Sequence, residues 1–254
     1  MSHYFTFVKK EVLEGLRTSR MLVMLLVFLG FGILSPLTAK LTPNLLELLV
    51  PEGLSFNLPE PGALDSWAQF FKNTSQMGLI VTIVVFSGIM ANELSRGTMI
   101  NMLTKGLSRN AVVLAKYTYM VLLWSLSLAF CALVTQAYTV FLWPSDNVAS
   151  LFFSIACLCL FGAFLLAVLL FAACCFDGVP ACLLTSGSVV VVMLVANIFP
   201  NVEKYNPLSL ASLNVELLMG VVKAADLYWS IGITAVLTVM LVVASVLVFR
   251  KKQL

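Results

Sequence analysis

Few side chains in this sequence are of types that do chemistry, and their spacing narrows the options further. The only histidine is His3, close to the start of the sequence. A serine–histidine relay or a histidine-ligated metal therefore lacks its central residue. All six cysteines (Cys131, Cys157, Cys159, Cys174, Cys175 and Cys182) fall within charge-free stretches. Cys174, Cys175 and Cys182 could gather as thiolate ligands, but with no histidine beside them small buried hydrophobes is the favoured reading, and no metal ligand is assigned. Between residues 131 and 200 the only acids are Asp146 and Asp177, expected on opposite membrane faces, so paired carboxylates for acid–base work are missing. No two of the 14 glycines stand five apart, which excludes the G-x4-G-K loop that cradles nucleotide phosphates. None stand four apart either, so a GxxxG helix pair is unsupported. Gln136 and Asn197 are the polar candidates for a substrate path, set against their commoner use as helix-packing hydrogen bonds. An enzyme is not expected, and no cofactor is expected on this chain. Any work it does would draw energy from another chain.

The elements that must carry these residues follow from the composition. The chain has 254 residues, 61% apolar and 11% charged, with a mean hydropathy of +1.02. Soluble domains carry about 25% charged residues, so a soluble globular enzyme is excluded, and so is a disordered chain. Six charge-free runs exceed the roughly 18 residues that mark a spanning helix: 21–39, 73–92, 117–145, 147–176, 178–202 and 227–249. Backbone groups in lipid must pair internally, and the runs are too long and continuous for barrel strands. The fold class expected is an all-α polytopic membrane protein with six transmembrane helices in a lipid bilayer.

Charge sorts with the alternation of these runs. With the N-terminus inside, eleven of the fifteen cations lie on inner segments, and only Lys40, Lys72, Lys204 and Lys223 lie outside. That bias predicts both termini in the cytoplasm. The basic flanks suit anionic headgroups, and nothing in them suggests nucleic acid. Residues 21–34 resemble a signal-peptide core, but twenty residues precede them and Leu37 sits where a small residue would precede cleavage at Ala39, so a retained helix is expected.

Residues 1–20 form an amphipathic segment, with Phe5, Val8, Val12 and Leu16 at helical spacing. A helix along the inner membrane surface is the preferred reading over a plain extension of the first span. The six-span domain then occupies 21–254. Its outer loop, 40–72, holds four of the nine prolines, and Thr42-Pro43 reads as the start of a short capped helix. Asp65 could cap a second, carrying Trp67, Phe70 and Phe71 into span two at the headgroup level. Span three is expected from near Ala111 to Trp143-Pro144, a tight hairpin turn at 177–180, and a short helix in or on the outer leaflet within 201–226.

The most informative segment is the inner loop 93–116. A simple connection needs a handful of residues, and this one has about 24. Thr98 can cap a short helix whose apolar face is Met99, Met102 and Leu103, with Lys105, Arg109 and Lys116 as a cationic edge. A membrane-parallel helix that seats in a cleft of a cytoplasmic partner is the physical reading. A positive-inside loop with an incidental helix is the alternative.

This string resembles the signature loop of ABC-2-type transporter permeases. Glu93, Gly97-Thr98, Met102-Leu103, Lys105, Ser108-Arg109 and Lys116 match in order and spacing, while Gly106 stands where the family commonly has proline. The stretch from Trp67 to Asn73, with Gln76 and Gly78, is similar to the start of span two in small bacterial members. The resemblance implies the transmembrane subunit of a bacterial exporter in the cytoplasmic membrane. Two permease chains, identical or related, would pair on separate cytoplasmic ATPase subunits, which bind ATP and Mg. Coupling to the ATPase would fall to Glu93, Arg96, Gly97, Thr98, Met102, Leu103, Lys105, Arg109 and Lys116, with the 1–20 helix packed against that loop. A hydrophobic or amphipathic cargo, such as a peptide, antibiotic or lipid, fits a lining poor in charge. Two other readings stay open: a sensor or immunity protein of the same fold without net transport, and a gradient-driven carrier, disfavoured by span centres without charge.

Overall fold

The computed structural model describes residues 2–49, 60–95, 108–144, 146, 148–176 and 178–252. Among them, six helices are long and apolar enough to cross a membrane: Arg20–Pro43, Ala63–Met90, Arg109–Leu142, Leu151–Cys175, Val179–Ala196 and Ala224–Lys251. This is the architecture of a multi-pass membrane protein, and it matches the six charge-free runs. Lipid tails are as apolar as leucine, so close packing and interhelical hydrogen bonds must hold such helices together.

Helix α1 (Ser2–Arg17) precedes α2 (Arg20–Leu49), with Ser19 at φ 59° making the corner between them. The face of α1 that packs on the bundle differs from the expected stripe. Phe7, Glu11 and Gly15 are buried, whereas Phe5 and Leu16 are exposed and Val8 and Val12 half-buried. α2 also corrects an expectation, because it runs straight through the supposed start of the outer loop. Thr42 does not cap a new helix; its hydroxyl donates back to the Thr38 carbonyl at 2.6 Å. Pro36, inside α2, deprives the Gly32 carbonyl of its helical N–H donor. The hydroxyl of Thr135 on α5 (Arg109–Leu142) donates to that carbonyl at 3.3 Å.

Span two begins ten residues earlier than expected. Helix α3 (Ala63–Asn73) continues through a π turn (Thr74–Gly78) into α4 (Leu79–Ser95). Two carboxylates serve its free N–H groups: Gly62 N donates to Asp65 Oδ2 at 2.9 Å, and Ala63 N to Asp146 Oδ2 at 3.1 Å. Trp67, Phe70 and Phe71, expected at the headgroup level, are instead fully buried in the core and pack edge-on, with ring centroids 5.0–5.1 Å apart for Trp67–Phe70 and Phe70–Phe71.

Helix α6 (Leu151–Cys175) is the central pillar, in contact with α4, α5, α7 (Val179–Ala196) and α11 (Tyr228–Lys251). Span five is shorter than its charge-free run, because α7 ends at Ala196. The Asn206 amide then donates to the Met193 carbonyl and to Asn197 Oδ1, both at 2.8 Å. In place of one helix resting on a leaflet, residues 200–218 make three short ones: α8 (Pro200–Glu203), α9 (Ser209–Ser212) and α10 (Asn214–Leu218). Leu210, Leu217 and Leu218 are buried, and α9 and α10 pack on α6, with α10 also on α3.

The turns sort into two ends. Arg109 donates to the carbonyls of Phe249, Arg250 and Lys252 at 3.2, 3.0 and 2.6 Å, so the start of α5 closes off the end of α11. Lys252 Nζ reaches the Cys174 carbonyl at 3.3 Å. Helix α1 and the end of α4 lie at this same end, and α3's first turn and residues 199–227 lie at the other.

Gly15 is required by a close approach. A Cβ there would overlap the Tyr119 hydroxyl of α5, which is buried without a hydrogen-bond partner among the described residues. Tyr119→Phe removes an unsatisfied polar atom. It is expected to leave the melting temperature in detergent unchanged or raised. Gly15→Ala alone should lower it, and Tyr119→Phe should reduce that loss without abolishing it, because the ring carbon Cζ stays 2.7 Å from the new Cβ. Equal losses in both backgrounds would contradict this packing.

Candidate functional site

Two features stand out, one at each end of the bundle. The first is a cluster of buried charges where α1, α4 and α5 meet. Lys116 is wholly buried, seven residues into α5. Its ammonium lies 3.1 Å from Glu11 Oε1 and 2.8 Å from Glu93 Oε2, and donates to the Ile89 carbonyl at 3.1 Å. Lys10 repeats the pattern at the rim, 3.1 Å from Glu11 and from Glu93 and 2.6 Å from Glu14. The Phe7 ring stands 5.0 Å from the Lys10 ammonium and 6.0 Å from that of Lys116. A lone buried charge is prohibitively costly, and here each ammonium instead meets several carboxylate oxygens. Carboxylate oxygens of Glu11, Glu14 and Glu93 lie within 4.8 Å of one another, close enough for a cation. The lysine ammoniums already fill that role, since Glu11 Oε1 is shared by both.

Charge pairing sets a pH dependence. Burial pushes the Glu14 carboxyl upward, but its hydrogen bond to Lys10 and the charges of Lys10, Lys116 and Arg20 outweigh this and hold it below its ordinary value of 4.5. Burial likewise pulls Lys10 down, and Glu14, Glu11 and Glu93 together lift it above the usual lysine range. A depressed acid contributes stability above its unfolded pKa and loses it as pH falls through the folded one; a raised lysine contributes below 10.5 and loses it on the alkaline side. Thermal unfolding in phosphatidylcholine nanodiscs should therefore be flat near neutrality and fall below about pH 4.5. Glu14→Gln should flatten part of the acid limb, and an unchanged limb would contradict the pairing.

The second feature is a cavity of about 680 Å³ between α3, the π turn, α4, α6, α7 and the 208–215 segment. Its walls are mainly apolar, with Gln69, Lys72, Ser75, Gln76, Asn197 and Ser212 as polar members. That volume is within the range of small-molecule pockets.

These two features sort the residues singled out from the sequence. Glu93 and Lys116 belong to the charge cluster, and Arg109 holds the end of α11; all three have partners within the chain. Arg96, Gly97, Thr98, Met102, Leu103 and Lys105 lie outside the described residues. Asn197 lines the cavity, but Gln136 is exposed on α5 and does not. Cys174, Cys175 and Cys182 do not form a three-ligand set among the described residues; the buried Cys174 thiol lies 3.8 Å from the Met90 sulfur. Sequence reasoning missed Lys10, Glu11 and Glu14. Lys10 and Glu14 carry a signal in their i,i+4 spacing, whereas Glu11 carries none, since only the packing shows that it faces inward. Compared with known proteins, the chain matches no family model and no curated protein.

Proposed function

We propose that this chain is the transmembrane permease subunit of an ATP-driven ABC transporter of the ABC-2 type, exporting a hydrophobic or amphipathic substrate. ATP and Mg would bind to separate cytoplasmic ATPase subunits, and a second permease chain would complete the transporter. The observation that carries this reading is the charge cluster at the root of the 93–116 loop. Glu93 before the loop and Lys116 after it meet at 2.8 Å, and both reach α1 through Lys10 and Glu11. A push on such a loop would pass to spans two and three and to α1 together, because no one of the three can move without separating buried charges. The same end of the molecule carries Arg109 and the basic C-terminus, which by the distribution of cations would face the cytoplasm of a bacterial cell.

The test is co-expression of the chain with candidate ABC ATPases, above all any encoded beside it, followed by purification through the permease. A stable complex whose ATP hydrolysis changes on assembly is the expected result. The double variant Arg96→Glu with Lys105→Glu should reduce that coupling at least tenfold while leaving the melting temperature unchanged. If no ATPase co-purifies, the permease reading fails. If an ATPase binds and hydrolysis couples, yet labelled amphiphiles are not moved in proteoliposomes, the chain is a sensor.

A further inference from the structure

The cavity has a distinct chemical pattern. One side is hydrocarbon: Ile80 and Ile83 from the first turns of α4, Val190 and Leu194 from the last turns of α7, with Leu165 of α6 behind them. At the rim stand Gln69, Lys72 and Gln76. Among the described residues, Lys72 is the only charged member of the lining, and no carboxylate is among it. Among the described residues, none of Gln69, Lys72 and Gln76 has a hydrogen-bond or ion-pair partner within the chain. The π turn contributes to this arrangement. It places Ser75 and Gln76 on the lining beside Gln69 and Lys72 of α3, and such turns concentrate at functional sites. Ile80 and Leu194 are 60% and 54% exposed, so the hydrocarbon side opens sideways between two spanning helices rather than only toward the end of the bundle.

We infer that this cavity binds a single-chain amphiphile with an anionic headgroup, taken from the bilayer through the opening between α4 and α7. The headgroup is held by the Lys72 ammonium and the Gln69 and Gln76 amides, and the chain lies along Ile80, Ile83, Val190 and Leu194. A neutral apolar ligand would make no use of the exposed Lys72 ammonium or of the Gln69 and Gln76 amides beside it, and a free anion would leave the hydrocarbon walls uncovered. A cationic amphiphile would meet a like charge. As a binding site this rests on the cavity alone; as the identity of exported cargo it rests on the permease reading.

The full chain in phosphatidylcholine nanodiscs is labelled with a diazirine-bearing palmitate, and the labelled peptides are identified by mass spectrometry. Labels are expected on the cavity-lining turns of α4 and α7, and dodecyl phosphate should compete at a concentration at least about 5-fold lower than dodecyltrimethylammonium. Lys72→Glu should reverse that order, and Val190→Trp, which intrudes on the hydrocarbon wall of the cavity, should weaken the label at least about 5-fold without lowering the melting temperature. The inference is overturned if labels spread evenly over the lipid-facing surfaces of α7 and α11. It also fails if Lys72→Glu leaves the order unchanged, or if inorganic phosphate competes as well as dodecyl phosphate. No ATPase enters this experiment. A labelled cavity in a chain that captures no ATPase keeps the binding site and removes the permease reading, and an ATPase complex with an unlabelled cavity does the reverse.

Discussion

Lys116→Met is expected to cost about 3–5 kcal/mol of folding stability, the range for removing one partner of a buried ion pair. The methionine fits the volume, but Glu11 and Glu93 then face each other without the ammonium that lies 3.1 and 2.8 Å from them. Lys10 bridges the same two carboxylates from the rim, at 3.1 Å each, but its side chain is 35% exposed and it must also serve Glu14. Unfolding in mixed micelles measures the loss. The triple variant Lys116→Met, Glu11→Gln, Glu93→Gln should recover most of it, because neutral amides tolerate burial far better than unpaired carboxylates. A loss below about 1 kcal/mol for the single variant, the scale of an exposed pair, would show that water reaches the cluster and that it does not tie α1 to the spans.

The second large effect is expected at Gly162. Trp124 lies across this glycine of α6, with its indole N–H donating to the Cys159 carbonyl at 3.1 Å and its ring edge-on to Phe28, centroids 5.6 Å apart. A Cβ on residue 162 would overlap the indole, which is fully buried and has nowhere to retreat. Gly162→Ala should therefore lose about 1–3 kcal/mol or more through overpacking. It should also change the near-ultraviolet circular dichroism, since the indole must rotate. Combining it with Trp124→Leu should cost clearly less than the sum of the two single losses, and strict additivity would mean that the two residues do not touch.

How much of this was legible in the sequence depends on which force sets each feature. The six spans were, because charge-free length is dictated by the bilayer and needs no tertiary information. The boundaries of spans one, two and five were not. Thr42-Pro43 reads as the start of a new helix, but α2 continues through both Pro36 and Pro43, and Thr135 meets the carbonyl that Pro36 strands. The helix boundary near 63 depends on Asp146, 83 residues away, capping Ala63. Trp67, Phe70 and Phe71 have the composition of an interface belt, and only packing tells a belt from a core. Glu93 and Lys116 could be singled out in the sequence as members of the 93–116 loop that resembles the permease signature. That they meet each other, and meet Glu11, could not be read without the fold. Gln136, a candidate for the substrate path, is exposed on α5 and outside the cavity lining, since polarity within a span says nothing about which way it faces.

The π turn of span two has a geometric consequence. A helix turns by about 100° per residue, so one residue of extra winding sets the part before it out of phase with the part after it by roughly that angle. Leu79 N reaches back five residues to the Thr74 carbonyl, and across this offset α3 and α4 belong to one span yet face the molecule on different bearings. Phe70 is buried in the packed interior, while Phe71, Lys72, Gln76 and Ile83, on both sides of the turn, line one hollow. Deleting one residue of the turn would rotate α4 by roughly 100° against α3 and swing Glu93, at its far end, away from the Lys116 ammonium that it meets at 2.8 Å.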